Sequence, residues 1–177
     1  MQADTAVPER LSWAVDRIAV RPGQRILEIG GGQGVAAALV CECLTDGYFL
    51  GLDRSVTAVA AAADRNRQAV ARGVAEFRPL ALEEADPERL GRFDTVFAVN
   101  VNLFWVRPAE KELRLIARIL RPTGKLWLFY EPPRGEVRRL RDRLAENFRD
   151  AGYRFRTATR RGPRTPLLSV SAGPSNS

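Results

Sequence analysis

Between Arg25 and Val35 the chain sets one carboxylate, Glu28, ahead of three glycines at alternate positions, Gly30, Gly32 and Gly34. A turn between a buried strand and a helix takes glycine where φ must be positive or where a ligand approaches the backbone closely. The spacing does not complete the dinucleotide fingerprint G-x-G-x-x-G/A, because position 35 is Val. Asp53 follows a second apolar run, Tyr48 to Leu52, about twenty residues past the glycines, where a carboxylate can accept hydrogen bonds from two ribose hydroxyls or cap the next helix. Together these residues point to a nucleotide-like ligand, the alternative being a purely structural glycine turn.

Two further clusters follow apolar runs. Asn100, Asn102 and Trp105 come after Phe93 to Val99, and Tyr130 and Glu131 come after Gly124 to Phe129. Their structural alternatives are turn-forming asparagines, a Trp that caps the core, and a Glu131 that caps a helix or pairs with Arg134. The chain has no histidine, so a general base must be a carboxylate, Tyr, Lys, Cys or a water, and Tyr130 and Glu131 are the best placed. No single residue is assigned as catalytic.

The elements that position these residues alternate. An amphipathic helix spans Val7 to Val20, strands cover Arg25 to Ile29 and Tyr48 to Leu52, and a helix lies between them from Gln33 to Leu44. Ser55 caps an alanine-rich helix reaching Arg72, followed by a strand from Val74 to Arg78 and a helical turn over Pro87 to Leu90. Strand four is Phe93 to Val99, a helix runs from Pro108 to Leu120, and strand five is Gly124 to Phe129. An arginine-rich helix over Gly135 to Asp150 leads to two strands, Tyr153 to Thr159 and Pro166 to Ser171, joined by the turn Arg161-Gly162-Pro163. This is an α/β pattern with a doubly wound, mostly parallel sheet, closed by a terminal pair that must be antiparallel.

The pattern acidic-x-Gly-x-Gly-x-Gly at Glu28 to Gly34 resembles the first motif of the class I S-adenosylmethionine-dependent methyltransferases, and the resemblance extends from Val7 to Ala172. It implies one Rossmann-like domain with a seven-stranded sheet in the order 3-2-1-4-5-7-6, strand seven antiparallel. It also implies S-adenosyl-L-methionine as cofactor, with Gly30, Gly32 and Gly34 against its methionine part and Glu28 near its amino end. Asp53 matches the second motif and takes the ribose, and Arg54 can lie against the adenine. After strand three the family carries an acidic residue for the adenine amino group. Here Ala81 and Leu82 stand at that point, which leaves the base to the backbone of Leu82 or to Glu83. Asn100 falls in the fourth motif as a cofactor contact, with Asn102, Trp105, Tyr130 and Glu131 on the substrate side. The Asn-Pro-Pro-Tyr-like signature of enzymes that methylate a base amino group is missing from Asn100-Val101-Asn102-Leu103. The implied activity is methyl transfer to an unidentified acceptor, a small molecule in first place. The alternatives are an RNA or protein methyltransferase with a shallow basic site, an NAD(P)-dependent oxidoreductase, and a non-catalytic cofactor-binding module.

Composition sets bounds. At 177 residues the chain suits a single domain, taken as residues 1–172 with a disordered tail at 173–177. No apolar run reaches the length of a membrane span, and Met1 to Thr5 lacks the features of a signal peptide, so the expected location is the cytoplasm. Cys41 and Cys43 sit two apart on one helix, unsuited to a disulfide, and read as small buried or half-buried residues; no metal site is expected. The net charge of +7 is almost wholly arginine, concentrated from Arg134 to Arg164. That region is either a solvated surface or an anion and nucleic-acid patch. No feature sets an oligomeric state.

Overall fold

The computed structural model describes residues 7–162 and 165–175. One sheet contains β1 (Arg25–Ile29), β2 (Tyr48–Asp53), β3 (Ala75–Pro79), β4 (Phe93–Val99), β5 (Leu120–Tyr130), β6 (Tyr153–Arg160) and β7 (Leu167–Pro174), in the order β3-β2-β1-β4-β5-β7-β6. β7 is antiparallel to both neighbours and the other pairs are parallel. This is the order and polarity that the family resemblance implies.

The connecting helices are α1 (Glu9–Ile18), α2 (Val35–Cys43), α3 (Val56–Arg65), α4 (Arg67–Ala71), α5 (Pro87–Leu90), α6 (Leu103–Val106), α7 (Glu110–Ile119) and α8 (Val137–Asp150). They cover both faces, which is why the central strand β1 reads as a nearly continuous apolar run. Ile26 packs with Trp13, Ala37 and Phe97 on one side. Its neighbour Leu27 packs on the other, in the cluster that holds Leu113 and Leu144.

Several boundaries differ from the sequence reading. The alanine-rich helix is interrupted at Asn66, whose buried side chain donates to Ala62 O (2.8 Å) and to Gly34 O (3.0 Å). An asparagine that serves backbone carbonyls in this way competes with the helix ladder. α6 was not foreseen, being a single turn inside the loop after β4. β7 extends through Gly173 and Pro174, which pair with Arg154 and Tyr153, so these two residues are not a disordered tail. Strand pairing overrides their loop-like composition, and Ser175 adds a backbone bond to Gly152 O (2.9 Å). Met1 to Thr5, Pro163, Arg164, Asn176 and Ser177 lie outside the described residues. Cys41 is buried, whereas Cys43 is exposed. Among the described residues no helix is long and apolar enough to cross a membrane.

Candidate active site

The carboxyl ends of β1, β2 and β4 open onto a cleft of about 510 Å³. Gly30, Asp53, Arg54, Leu82, Asn100 and Asn102 all line it. The volume lies in the range of small-molecule and cofactor sites, and the position is the switch point where strand order reverses.

The glycine loop forms one wall. Gly30 has φ +67° and its N–H donates to Leu52 O (2.7 Å), while a Cβ there would lie 2.7 Å from Val101 Cγ2. Gly30 therefore lets the segment after β4 close down on the loop. Gly32 donates its N–H to Asp53 Oδ2 (2.9 Å), and Asp53 Oδ1 accepts from Ser55 N–H (2.9 Å). Gly34 turns away from the cleft. It stands before α2 with φ +73°, and a Cβ would lie 2.8 Å from Ala62 Cβ and 2.6 Å from Asn66 Nδ2. The geometry gives Gly34 the close approach of loop to α3.

Glu28 lies beneath this loop rather than in the cleft wall. Its carboxyl sits against Gly31, where a Cβ would be 2.8 Å from Oε2, and that oxygen is buried with no hydrogen-bond partner among the described residues. Burial, reinforced by the Asp53 carboxylate, pushes its pKa up to about 8. Glu28 is thus a neutral acid at pH 7.

Asn100 takes a left-handed conformation, φ +55°, which asparagine tolerates better than most residues. Its N–H donates to Phe129 O and its Oδ1 accepts from Glu131 N–H, both at 2.8 Å, so it fastens the end of β4 to the end of β5.

A second cavity, about 330 Å³, adjoins the first and shares Asn100 and Asn102 with it. Trp105, Tyr130 and Glu131 line it too, which brings together every residue assigned to the substrate side. Tyr130 is buried and donates its hydroxyl to Val101 O (3.0 Å). Burial raises its pKa well above that of a free phenol. Its hydroxyl proton is engaged by Val101 O. Glu131 accepts from Thr165 Oγ1 (2.8 Å) and pairs with Arg10 (3.4 Å).

The structure adds individual lining residues, several of them in the segments Asn100 to Pro108 and Tyr130 to Gly135 from which the sequence leads one to expect acceptor specificity. Val101, Leu80 and Arg107 line the larger cleft, and Arg107 is held by Glu112 (2.7 Å). Pro132, Pro133, Glu136 and Leu140 line the smaller one. Pro132 and Pro133 lie just past the end of β5, where the sequence already places Tyr130 and Glu131.

Residues 27–126 match the family model described as a methyltransferase domain. The chain belongs to the class I S-adenosylmethionine-dependent methyltransferases. The oxidoreductase reading gives way to this. The fold is shared with the magnesium protoporphyrin IX methyltransferase of Synechocystis PCC 6803, solved with bound SAM, at 20% identity and TM-score 0.69, over 93% of this chain and 76% of that one. It is also shared with a precorrin-6y C5,15-methyltransferase of Geobacter metallireducens GS-15, at 16% identity and TM-score 0.71, over 98% and 95%. A third likeness is to a putative rRNA methylase of Clostridium thermocellum, at 12% identity and TM-score 0.71, over 97% and 99%. Among curated proteins no sequence matches this methyltransferase.

Cofactor chemistry fits the cleft. A carboxylate offers about four acceptor sites. The backbone uses two of those on Asp53, which leaves two free of these bonds on a residue that lines the cleft.

Proposed function

We propose that this methyltransferase alkylates a small acceptor, largely apolar and carrying one nucleophilic oxygen or nitrogen, seated in the 330 Å³ cavity. The observation that carries the reading is the meeting of the two cavities at Asn100 and Asn102. An acceptor in the smaller cavity can then face a cofactor methyl in the larger one.

Bound S-adenosylmethionine supplies a methyl on a sulfonium, open to in-line displacement. In this reading Asp53 holds the ribose, Gly30 lies against the methionine part, and Leu82, Glu83 and Arg54 border the adenine. Trp105, Pro132, Pro133 and Leu140 give the acceptor apolar walls that exclude water and restrict its orientation, the effects from which such a transfer gains most. Asn100 fixes the junction because both its backbone and its side chain are engaged. Glu131, one of two carboxylates that line the smaller cavity, takes a proton from an acceptor hydroxyl or ammonium in this reading.

Isothermal titration with S-adenosylhomocysteine tests the cofactor half, and no binding by the intact protein overturns it. Formation of S-adenosylhomocysteine across a library of small phenols, amines and acids tests the acceptor. Turnover with at least one compound, weakened by Trp105→Ala, is expected; turnover on RNA or protein alone overturns the reading.

A further inference from the structure

The arginine-rich C-terminal region divides in two. On α8 three of the five arginines sit beside carboxylates of the same stretch, Arg139 with Glu136 (3.5 Å), Arg141 with Asp142 (3.8 Å) and Arg143 with Glu146 (3.4 Å). Such pairs form a solvated helix face. On β6 two arginines stand on one strand face. Arg154 and Arg156 are exposed and form no ion pair among the described residues.

The pleat places these two arginines with others. Arg154 lies opposite Gly173 and Arg156 opposite Ser171; across β7, Ser171 lies opposite Trp127. Lys125, two residues before Trp127, falls on the same face. Glycine and serine thus floor a trough on β7, between Lys125 and Trp127 on β5 and Arg154 and Arg156 on β6. α1 reaches over this face, pairing Glu9 with Arg160 (3.0 Å) and placing the Arg17 guanidinium 5.6 Å from the Trp127 ring centroid. The trough measures about 750 Å³, and among the described residues lining it there is no carboxylate.

We propose that this trough binds a single-stranded polynucleotide through its phosphates. Arg17, Lys125, Arg154 and Arg156 supply four positive charges with no internal counter-charge lining the trough. Successive residues on one strand face are about 6.8 Å apart, comparable to successive phosphates in an extended strand. Two strand spacings make the trough about 9.6 Å wide at its base, suited to one nucleic-acid strand and too narrow for a duplex. A second copy of the chain is disfavoured, because a two-fold contact through this face would oppose like charges.

The test is fluorescence anisotropy of a labelled oligouridylate, titrated at several salt concentrations. Four phosphate contacts predict a slope of log K against log[salt] of about −2.8 for a single strand. The Arg154→Ala/Arg156→Ala double variant is expected to halve this to about −1.4 and to weaken binding at least ~10-fold at about 50 mM salt. Arg154→Lys/Arg156→Lys retains the slope. S-adenosylhomocysteine titration of each variant stays at the wild-type value, which certifies the fold and keeps this result separate from the acceptor reading. The proposal is overturned by no binding at about 50 mM salt. It is equally overturned by an unchanged slope in the alanine variant, by loss of binding on Arg138→Ala/Arg141→Ala instead, or by polyglutamate competing as well as the oligouridylate. A concentration-dependent dimer abolished by the alanine variant would assign the face to a second copy and also overturn it.

Discussion

Gly32 and Asp53 are joined by a 2.9 Å hydrogen bond from the Gly32 N–H to Asp53 Oδ2, which ties the loop after β1 to the end of β2. Asp53 therefore has a structural partner and lines the larger cleft at once.

Replacing Asp53 by Ala removes two backbone bonds and the proposed ribose acceptor together. A hydrogen bond to a charged group contributes about 1.5–3 kcal/mol. Affinity for S-adenosylhomocysteine, measured by calorimetry, is expected to fall roughly 10–100-fold.

Glu28 makes stability depend on pH in an unusual sense for a carboxyl. Its native pKa is raised to about 8 from an ordinary value of 4.5, so the folded state binds more protons than the unfolded state between those values. Stability is fully expressed below the lower value and declines as pH rises through the window. From about pH 5 to about pH 8 the wild type is expected to lose on the order of 3 kcal/mol relative to Glu28→Gln, as read from urea midpoints.

Gly34 and Gly73 form a matched pair. Both have φ +73°, but a Cβ at Gly73 meets open space, whereas one at Gly34 lies 2.9 Å from the Ala62 Cα. Gly73→Ala should cost about 1–2 kcal/mol for the left-handed backbone alone. Gly34→Ala should cost roughly 1–3 kcal/mol more, because α3 must move. Chemical denaturation of the two variants separates the terms.

Tyr130→Phe deletes the hydroxyl bond to Val101 O, and Val101 packs on Gly30. A loss of about 1 kcal/mol in stability is expected. The pH profile of turnover is expected to stay unchanged, since the phenol does not ionise in the working range; an altered profile would make Tyr130 the base.

What could be read from the sequence follows from how each residue acts. Gly30 and Asp53 occupy positions where backbone geometry and strand ends demand particular residue types, so type and spacing reveal them. Asn100 was legible for the same reason, although its side chain also serves Glu131 N–H. Val101, Arg107 and Leu140 reach the cavities through tertiary placement, which no local pattern encodes. Asn66 was hidden because alanine-rich flanks read as one helix, while a single amide reaching Gly34 O breaks it. The arginines of α8 and β6 are alike in sequence, and only strand pairing sets Arg154 and Arg156 apart.

The glycine loop is braced from two sides, by Asp53 on the Gly32 N–H and by Asn66 on the Gly34 carbonyl. Three positive-φ glycines would otherwise leave such a loop many conformations. Folding has already absorbed that disorder, so in the proposed reading cofactor capture would meet a preorganised cradle and lose little conformational entropy there. Cofactor association is accordingly expected to be a single fast phase, without a slow rearrangement of the loop.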